Sequence, residues 1–518
     1  MTDDPNSRIL AAIDIGSNSI RMALAQTLSD GTLEIFERLH RAIHLGQDVF
    51  LHGRIGAQSM RGAVTILTDY KRLIDRYGAS QIRVVATSAL REASNADNFL
   101  DRVFLATKLP IEIIDVAEES RLTLSAIRRT NPESRSLDQG HSLLVEPGGG
   151  NAILIFLENG EIDYIHGASS LGTIRIIEKL LQGNESSTRR IEILTEHIRS
   201  SIGTSQILPK LQRCRTMVAI GGYARFAQCL TGTTTPPGEW TGTTVISPEL
   251  LDTMIRNCAK DTPEQLARRC HLEFFETEAL LPAMIVCREL LVRTACGEMA
   301  VSSASMRDGV LTDMAMSTSD SAEAIRFEES RQSARAVAQR YRVDPEHAAG
   351  VAVVALQIFD ALQSDHGLGA RERLLLELAA MLHEAGTIVS GNSWHKHSYY
   401  LIAHSDIFGL SRDETRTLAH IARYHRRSPP KPNHTEFQSL PREIRVLIWK
   451  LAAILRVADL LAPDRGVAAG RFRFEHRGDE FLIIDTQIPD PGVEERLLSA
   501  QCDMFEDIFG LRLRIESK

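Results

Sequence analysis

The feature that most limits how this chain can fold is a unit of architecture that occurs twice. Ile9 to Ile15 is apolar and stops at Gly16, Ile20 to Gln26 is a second strand candidate, and Asp30-Gly31 turns the chain into Thr32 to Phe36. The plan returns at Ser142 to Glu146, then a glycine loop, Ala152 to Leu157, the turn Asn159-Gly160 and Glu161 to His166. Such an internal repeat means that one supersecondary unit is built twice. In register, Asp14-Ile15-Gly16-Ser17-Asn18-Ser19 falls over Glu146-Pro147-Gly148-Gly149-Gly150-Asn151. Each copy therefore carries a carboxylate at a strand end and a tight polar loop after it, and the expectation is two related α/β domains facing a cleft.

At 518 residues the chain exceeds what one core needs. Strands and amphipathic helices mix from Leu137 to Met316, with Ile174, Ile177, Leu180 and Leu181 on one helix face and a strand-then-glycine unit at Met217 to Gly222. Ser317 to Glu323 is small, polar and acidic, which suits a linker. Helical patterns follow almost to Asp464, as in Leu374 to Leu382 and Val446 to Leu461, and predict an all-α domain. The end alternates at Phe472/Phe474, turns at Gly478-Asp479 and resumes at Phe481 to Ile484 and Leu511 to Ile515, a small α/β domain. The expected boundaries are 1–133, 134–316, 317–468 and 469–518.

Composition narrows the function classes. With 43% hydrophobic and 24% charged residues the chain is neither disordered nor fibrous, and a net charge of −8 argues against a globally basic nucleic-acid coat. Any polyanion must be held locally, and no nucleic-acid partner is expected. Seven cysteines without a C-x-x-C pair read as reduced core thiols rather than a disulfide framework or a zinc ribbon. Met1 to Ser7 is polar and acidic, and apolar stretches such as Val351 to Leu362 are broken by Gln357 and Asp360, so a soluble, cytoplasmic protein with no membrane partner is expected.

At the first loop, Gly16 lets backbone N–H groups and the Ser17 and Ser19 hydroxyls turn towards a phosphate, although one glycine also suits an ordinary strand-end turn. The run Gly148-Gly149-Gly150 is more telling, because three consecutive glycines cost backbone entropy and mark a close backbone approach. Between the loops, Ala86-Thr87-Ser88-Ala89-Leu90-Arg91 is a strand ending in a cation that can pair bidentately with phosphate oxygens, or serve as an exposed helix-start arginine. Glu112 to Leu122 is a strand followed by a helix start. From the residues alone, Glu118 and Glu119 complement the helix dipole there.

These segments, with Ala86 to Phe99, Leu171 to Arg175, Gly221-Gly222, Arg307 to Leu311, Met381 to Gly386, His395 to Ser398 and Arg423 to Arg426, resemble the exopolyphosphatase/guanosine pentaphosphate phosphatase family of the actin-like ATPase superfold. The match runs over nearly the whole chain and is closest in type to long, exopolyphosphatase-like members. The resemblance implies two ribonuclease H-like domains facing a cleft, followed by the helical and small C-terminal domains, and commonly a homodimer. It implies hydrolysis of a terminal phosphoanhydride, with Glu119 as the general base that activates water. Asp14 and Glu146 would lie near Mg²⁺ (or Mn²⁺), and Gly16, Ser17, Asn18, Ser19, Arg91, Gly148, Gly149, Gly150 and Asn151 would surround the terminal phosphate. Inorganic polyphosphate is the leading substrate. Guanosine pentaphosphate and a non-catalytic binding role are the alternatives. The family's second loop usually reads Asp-Ile-Gly-Gly-Gly-Ser-Thr-Glu, whereas this chain has Glu146 for the first carboxylate and Ile153 for the last.

The helical domain resembles the His-Asp hydrolase fold in degenerate form, with His383-Glu384 in place of the usual pair, His347 upstream and Asp459 downstream, and a structural role is the expectation for these residues. A cationic set, His395, Lys396, His397, Arg423, His425, Arg426, Arg427 and Lys431, fits either a solvated helix face or a track for a linear polyanion. In an acidic chain the track is the expected reading.

Overall fold

The computed structural model describes residues 8–517 except 29–32, 131–136, 182–184, 221–243, 271–273, 303, 317–319, 428, 432, 463–471 and 486–502. The Asp30-Gly31 turn and the Gly221-Gly222 unit lie outside the described residues. Two compact units emerge, Met1–Ala324 and Ile325–Lys518.

In the first unit, β1 (Arg8–Ile15), β2 (Ser19–Thr27), β3 (Leu33–Ala42), β4 (Gln81–Ala86) and β5 (Ile111–Ile113) form a sheet in the order β3-β2-β1-β4-β5. The second sheet takes β6 (His141–Pro147), β7 (Ala152–Glu158), β8 (Glu161–Ala168), β9 (Thr216–Ile220), β10 (Thr244–Ile246) and β11 (Met299–Ser302) in the order β10-β11-β9-β6-β7-β8. Read from its other edge, β8-β7-β6-β9-β11 reproduces the first sheet. In both, an antiparallel meander of three strands is followed by two parallel ones. The repeat in sequence is thus a repeat in topology, and the unit has the actin-like fold.

β1 is buried on both faces, as expected of a central strand with covered sides. Ala11, Ile13 and Ile15 pack with Met60, Leu67 and Phe99, whereas Leu10 and Ala12 pack with Leu122, Val310 and Leu311. The latter come from two helices, Val116–Thr130 and Met306–Met316. These helices touch at Gly309, where an added Cβ would stand 1.9 Å from the carbonyl oxygen of Leu122. Backbone cannot give way as a side-chain tip can. Gly309→Ala is therefore expected to destabilise the protein by about 1–3 kcal/mol or more through overpacking, seen as a lower thermal midpoint. An unchanged midpoint would contradict this packing.

In the second unit, helices including Pro345–Ala361, Ala370–Leu382, Arg412–Tyr424 and Arg442–Leu461 enclose one core. Asp320, inside the expected linker, already begins a helix that runs to Arg340. Strands β12 (Phe472–Arg477), β13 (Glu480–Asp485) and β14 (Arg512–Ser517) form a small sheet whose Phe472, Phe481, Ile483, Leu513 and Ile515 enter the core built by the helices. Among the described residues, no helix is long and apolar enough to cross a membrane.

Candidate active site

The first loop is shaped by its own backbone. Gly16 N–H donates to Ser19 O at 3.0 Å, and Ser17 O and Asn18 O accept from Gly46 and Ile43 at 2.7 and 3.1 Å. In the second loop, Gly148 N–H donates to Asn151 O at 2.9 Å. The carbonyls of Gly148 and Gly149 accept from Thr173 and Ile174, the first residues of the helix Thr173–Leu180, at 2.9 and 3.0 Å. Those helix N–H groups would otherwise lack partners.

The two loops meet. A Cβ on Gly149 would stand 3.0 Å from Ser17 Cβ, and one on Gly150 would stand 2.4 Å from Ser88 Oγ. Ser17 Oγ and Ser88 Oγ are themselves hydrogen-bonded at 3.0 Å. The close approach that the glycine run signalled is, in this structure, the approach of one half of the fold to the other. Arg175 secures it: Nε donates to Gly150 O at 3.0 Å, Nη2 binds Glu92 at 2.7 Å, and the guanidinium lies over the Phe50 ring at 4.2 Å.

The structure separates the two neighbouring glutamates. Glu118 enters an ionic network with Arg83 at 3.0 Å and Arg121 at 2.7 Å, beside Asp313. Burial opposes its charge, but these arginines hold its carboxyl below the usual range. Glu119, 12% exposed at the side chain, instead receives Arg91 Nη1 at 3.2 Å. Burial, with the charges of Glu146 and Asp14 added, outweighs Arg91 and pushes Glu119 up to about 7. A carboxylate tuned to that value suits a general base near neutral pH. Glu146 is also raised, by burial and by Asp14, against the hydrogen bond that Thr123 Oγ1 donates to Oε2 at 2.9 Å.

Of the residues expected from sequence, Asp14, Ser17, Ser19, Arg91, Glu119, Glu146 and the Gly148–Gly150 loop belong to this connected set. Arg91, expected at the terminal phosphate, is partly committed, because its Nη1 donates to Ile114 O at 2.6 Å as well as to Glu119. The Asn18 side chain is turned to His44 Nδ1 at 3.1 Å, and Asn151 is buried. Three residues of the set were not among the expected site residues. Thr123 was one; Arg307, buried, places Nη1 3.5 Å from Asp14 Oδ2, and Arg21 donates Nε to Ser19 Oγ at 2.7 Å. Burial and the neighbouring Arg21 push Arg307 down to about 10. Arg21 could have been found from the repeat: it stands opposite Asp14 in the β1–β2 register, as Ile153 stands opposite Glu146 in β6–β7.

Residues directly opposite on antiparallel strands project from the same face. Position 153 therefore shares the face of Glu146. Ile153→Glu is expected to shift the Mg²⁺ activation curve to lower concentration. An unchanged titration would show that the second loop is organised around Glu146 alone.

In the second unit, two members of the expected polyanion track are corrected. His425 is buried, with Nδ1 donating to Ala422 O at 2.5 Å, and His395 is buried as well. Burial, then Arg427, Lys396, Arg423 and Arg426, drive His395 down to about 4, so it is neutral at pH 7. Histidines at the end of a helix can turn inward, which composition does not reveal. Lys396, Arg426, Arg427 and Lys431 are exposed and His397 is half-buried. Arg423 is half-buried against the Tyr399 and Tyr424 rings at 5.0 and 5.4 Å, and lies 3.6 Å from Glu436.

A buried carboxylate set thus lies beside two loops in a repeated actin-like fold. The chain belongs to the Ppx/GppA phosphatase family: the family model matches residues 25–318 and that of the family's domain III matches residues 330–480. A relative from Vibrio vulnificus, named guanosine-5'-triphosphate,3'-diphosphate pyrophosphatase, is 27% identical over 513 residues, 94% of each chain. One of the same name from Aeromonas hydrophila is 25% identical over 511 residues, 97% of this chain and 96% of its own. The crystal structure of an exopolyphosphatase from Cytophaga hutchinsonii superposes with a TM-score of 0.54 at 17% identity, covering 60% of this chain and 99% of that one, a likeness of fold.

Proposed function

We propose that the protein is an exopolyphosphatase that releases terminal orthophosphate from inorganic polyphosphate. The observation that carries this reading is Glu119, raised to about 7, held by Arg91 and linked electrostatically to Asp14 and Glu146 beside the two loops. In the proposed reaction Glu119 takes a proton from the attacking water, while Arg91 keeps the carboxylate oriented and loop backbone and hydroxyl groups hold the terminal phosphate. Asp14 and Glu146 would hold Mg²⁺ or Mn²⁺. They fit such an ion, because they are hard oxygen donors whose charges already raise the affinity of Glu119 for a proton, a repulsion that a cation relieves. When bound, the ion neutralises charge on the transferred phosphoryl group.

Polyphosphate is favoured over a nucleotide by the exposed cations Lys396, Arg426 and Arg427, since a linear polyanion repeats its charge along its length. The second reading, guanosine pentaphosphate hydrolysis, is favoured by the names of relatives that align with nearly the whole chain. The ratio of kcat/KM on long-chain polyphosphate to that on guanosine pentaphosphate decides between them. A ratio well above one supports the proposal, and one well below one transfers it to the nucleotide.

A further inference from the structure

In the second unit, four side chains from four helical segments converge. His347 lies on the helix Pro345–Ala361, His383 and His425 end the helices Ala370–Leu382 and Arg412–Tyr424, and Asp459 lies on Arg442–Leu461. Asp459 Oδ1 stands 3.3 Å from His383 Nε2 and 3.5 Å from His347 Nε2, and Oδ2 stands 3.8 Å from His425 Nε2. One donor atom each from His347, His383 and Asp459 lies within 4.8 Å of the others.

The other ring nitrogens fix the chemistry. His383 Nδ1 and His425 Nδ1 face the carbonyls of Ala380 and Ala422 at 2.7 and 2.5 Å. A carbonyl only accepts, so each Nδ1 carries the hydrogen and, in the neutral ring, Nε2 presents its lone pair. Both Nε2 atoms are fully buried and make no hydrogen bond among the described residues. Two buried lone pairs thus confront carboxylate oxygens, an acceptor-to-acceptor arrangement that is costly unless a positive charge lies among them. Making every ring an imidazolium instead would crowd cations, since the His383 ring centroid is 5.5 Å from that of His347 and 5.1 Å from that of His425. Arg456 holds the turn that carries His425, donating to the carbonyls of Tyr424, His425 and Arg427 at 3.0, 3.2 and 2.9 Å.

We propose that His347, His383, His425 and Asp459 form a binding site for one divalent transition-metal ion. Three imidazoles and one carboxylate suit Zn²⁺, Co²⁺, Fe²⁺ or Mn²⁺, whereas Mg²⁺ prefers oxygen donors throughout. The backbone carbonyls on Nδ1 are the outer contacts that orient ligating imidazoles. Entry is from the side of His347 and Glu384, whose side chains are 14% and 26% exposed and 4.0 Å apart.

The test is equilibrium binding of Zn²⁺, and of Co²⁺ followed by its visible absorption, to the full metal-stripped chain in millimolar Mg²⁺. Wild type should bind one Zn²⁺ and give cobalt bands of an imidazole-rich centre. His347→Ala and Asp459→Asn, each checked for an unchanged circular dichroism spectrum, should weaken binding by more than about 100-fold, beyond the loss of a supporting contact. Asp14→Asn should bind Zn²⁺ as wild type does. Because His347 lies at the rim, its variant remains informative if the Asp459 variant fails to fold. Absence of Zn²⁺ binding by wild type, or unaltered binding by a folded His347→Ala protein, would overturn the assignment.

Discussion

Replacing Glu119 with Gln is expected to lower turnover by about 10²- to 10⁴-fold while leaving the fold and polyphosphate binding intact. Glutamine keeps the volume and accepts a hydrogen bond from Arg91, but it cannot take the proton of the attacking water. The pH profile adds a second readout. The carboxyl, raised by burial and active only when ionised, should give a kcat/KM that climbs with pH and then levels, with a midpoint below about 7 once Mg²⁺ relieves the repulsion from Glu146 and Asp14. In the Gln variant that limb should vanish. Stability runs the other way: a folded-state pKa above the unfolded value makes a contribution present in full below about 4.5 and lost as pH rises through about 7. A rate within a factor of about three of wild type would remove Glu119 from the role of base.

Changing Lys396, Arg426 and Arg427 together to Gln is expected to raise the apparent KM for long polyphosphate on the order of 100-fold at low salt, at roughly 1 kcal/mol per lost cation. Arg423 is kept, because its stacking on Tyr399 and Tyr424 makes it part of the packing. A tetraphosphate carries few charges and gains little from these cations, so its hydrolysis should be nearly unaffected. The long-chain effect should shrink as salt is raised. Equal losses on both substrates would indicate damage to the fold, and no loss on either would leave these cations as a solvated surface.

Much of the candidate site was legible because the repeat carries its own alignment. Once Asp14 lies over Glu146, two strand-end carboxylates and two loops follow from chain topology, and the sheets show the same strand order twice. Other features depend on contacts that local pattern cannot carry. Glu118 and Glu119 are adjacent and chemically alike, and they differ only in which arginines the tertiary structure brings to each. Arg307 reaches Asp14 across 293 positions, and no short-range periodicity reports that contact. The inward turn of His395 and His425 escaped for the same reason. A cluster of basic residues in sequence does not say which of them the helix packing buries.

The most direct test of the account is orthophosphate release from end-labelled long-chain polyphosphate in Mg²⁺, measured on wild type and Glu119→Gln under conditions where both bind the polymer. The account requires label to appear as orthophosphate with the wild-type protein, and release to fall by about 10²-fold or more in the variant at unchanged affinity. Tight binding without phosphate release by the wild-type protein would contradict it, and would make this chain a polyphosphate binder rather than the enzyme proposed.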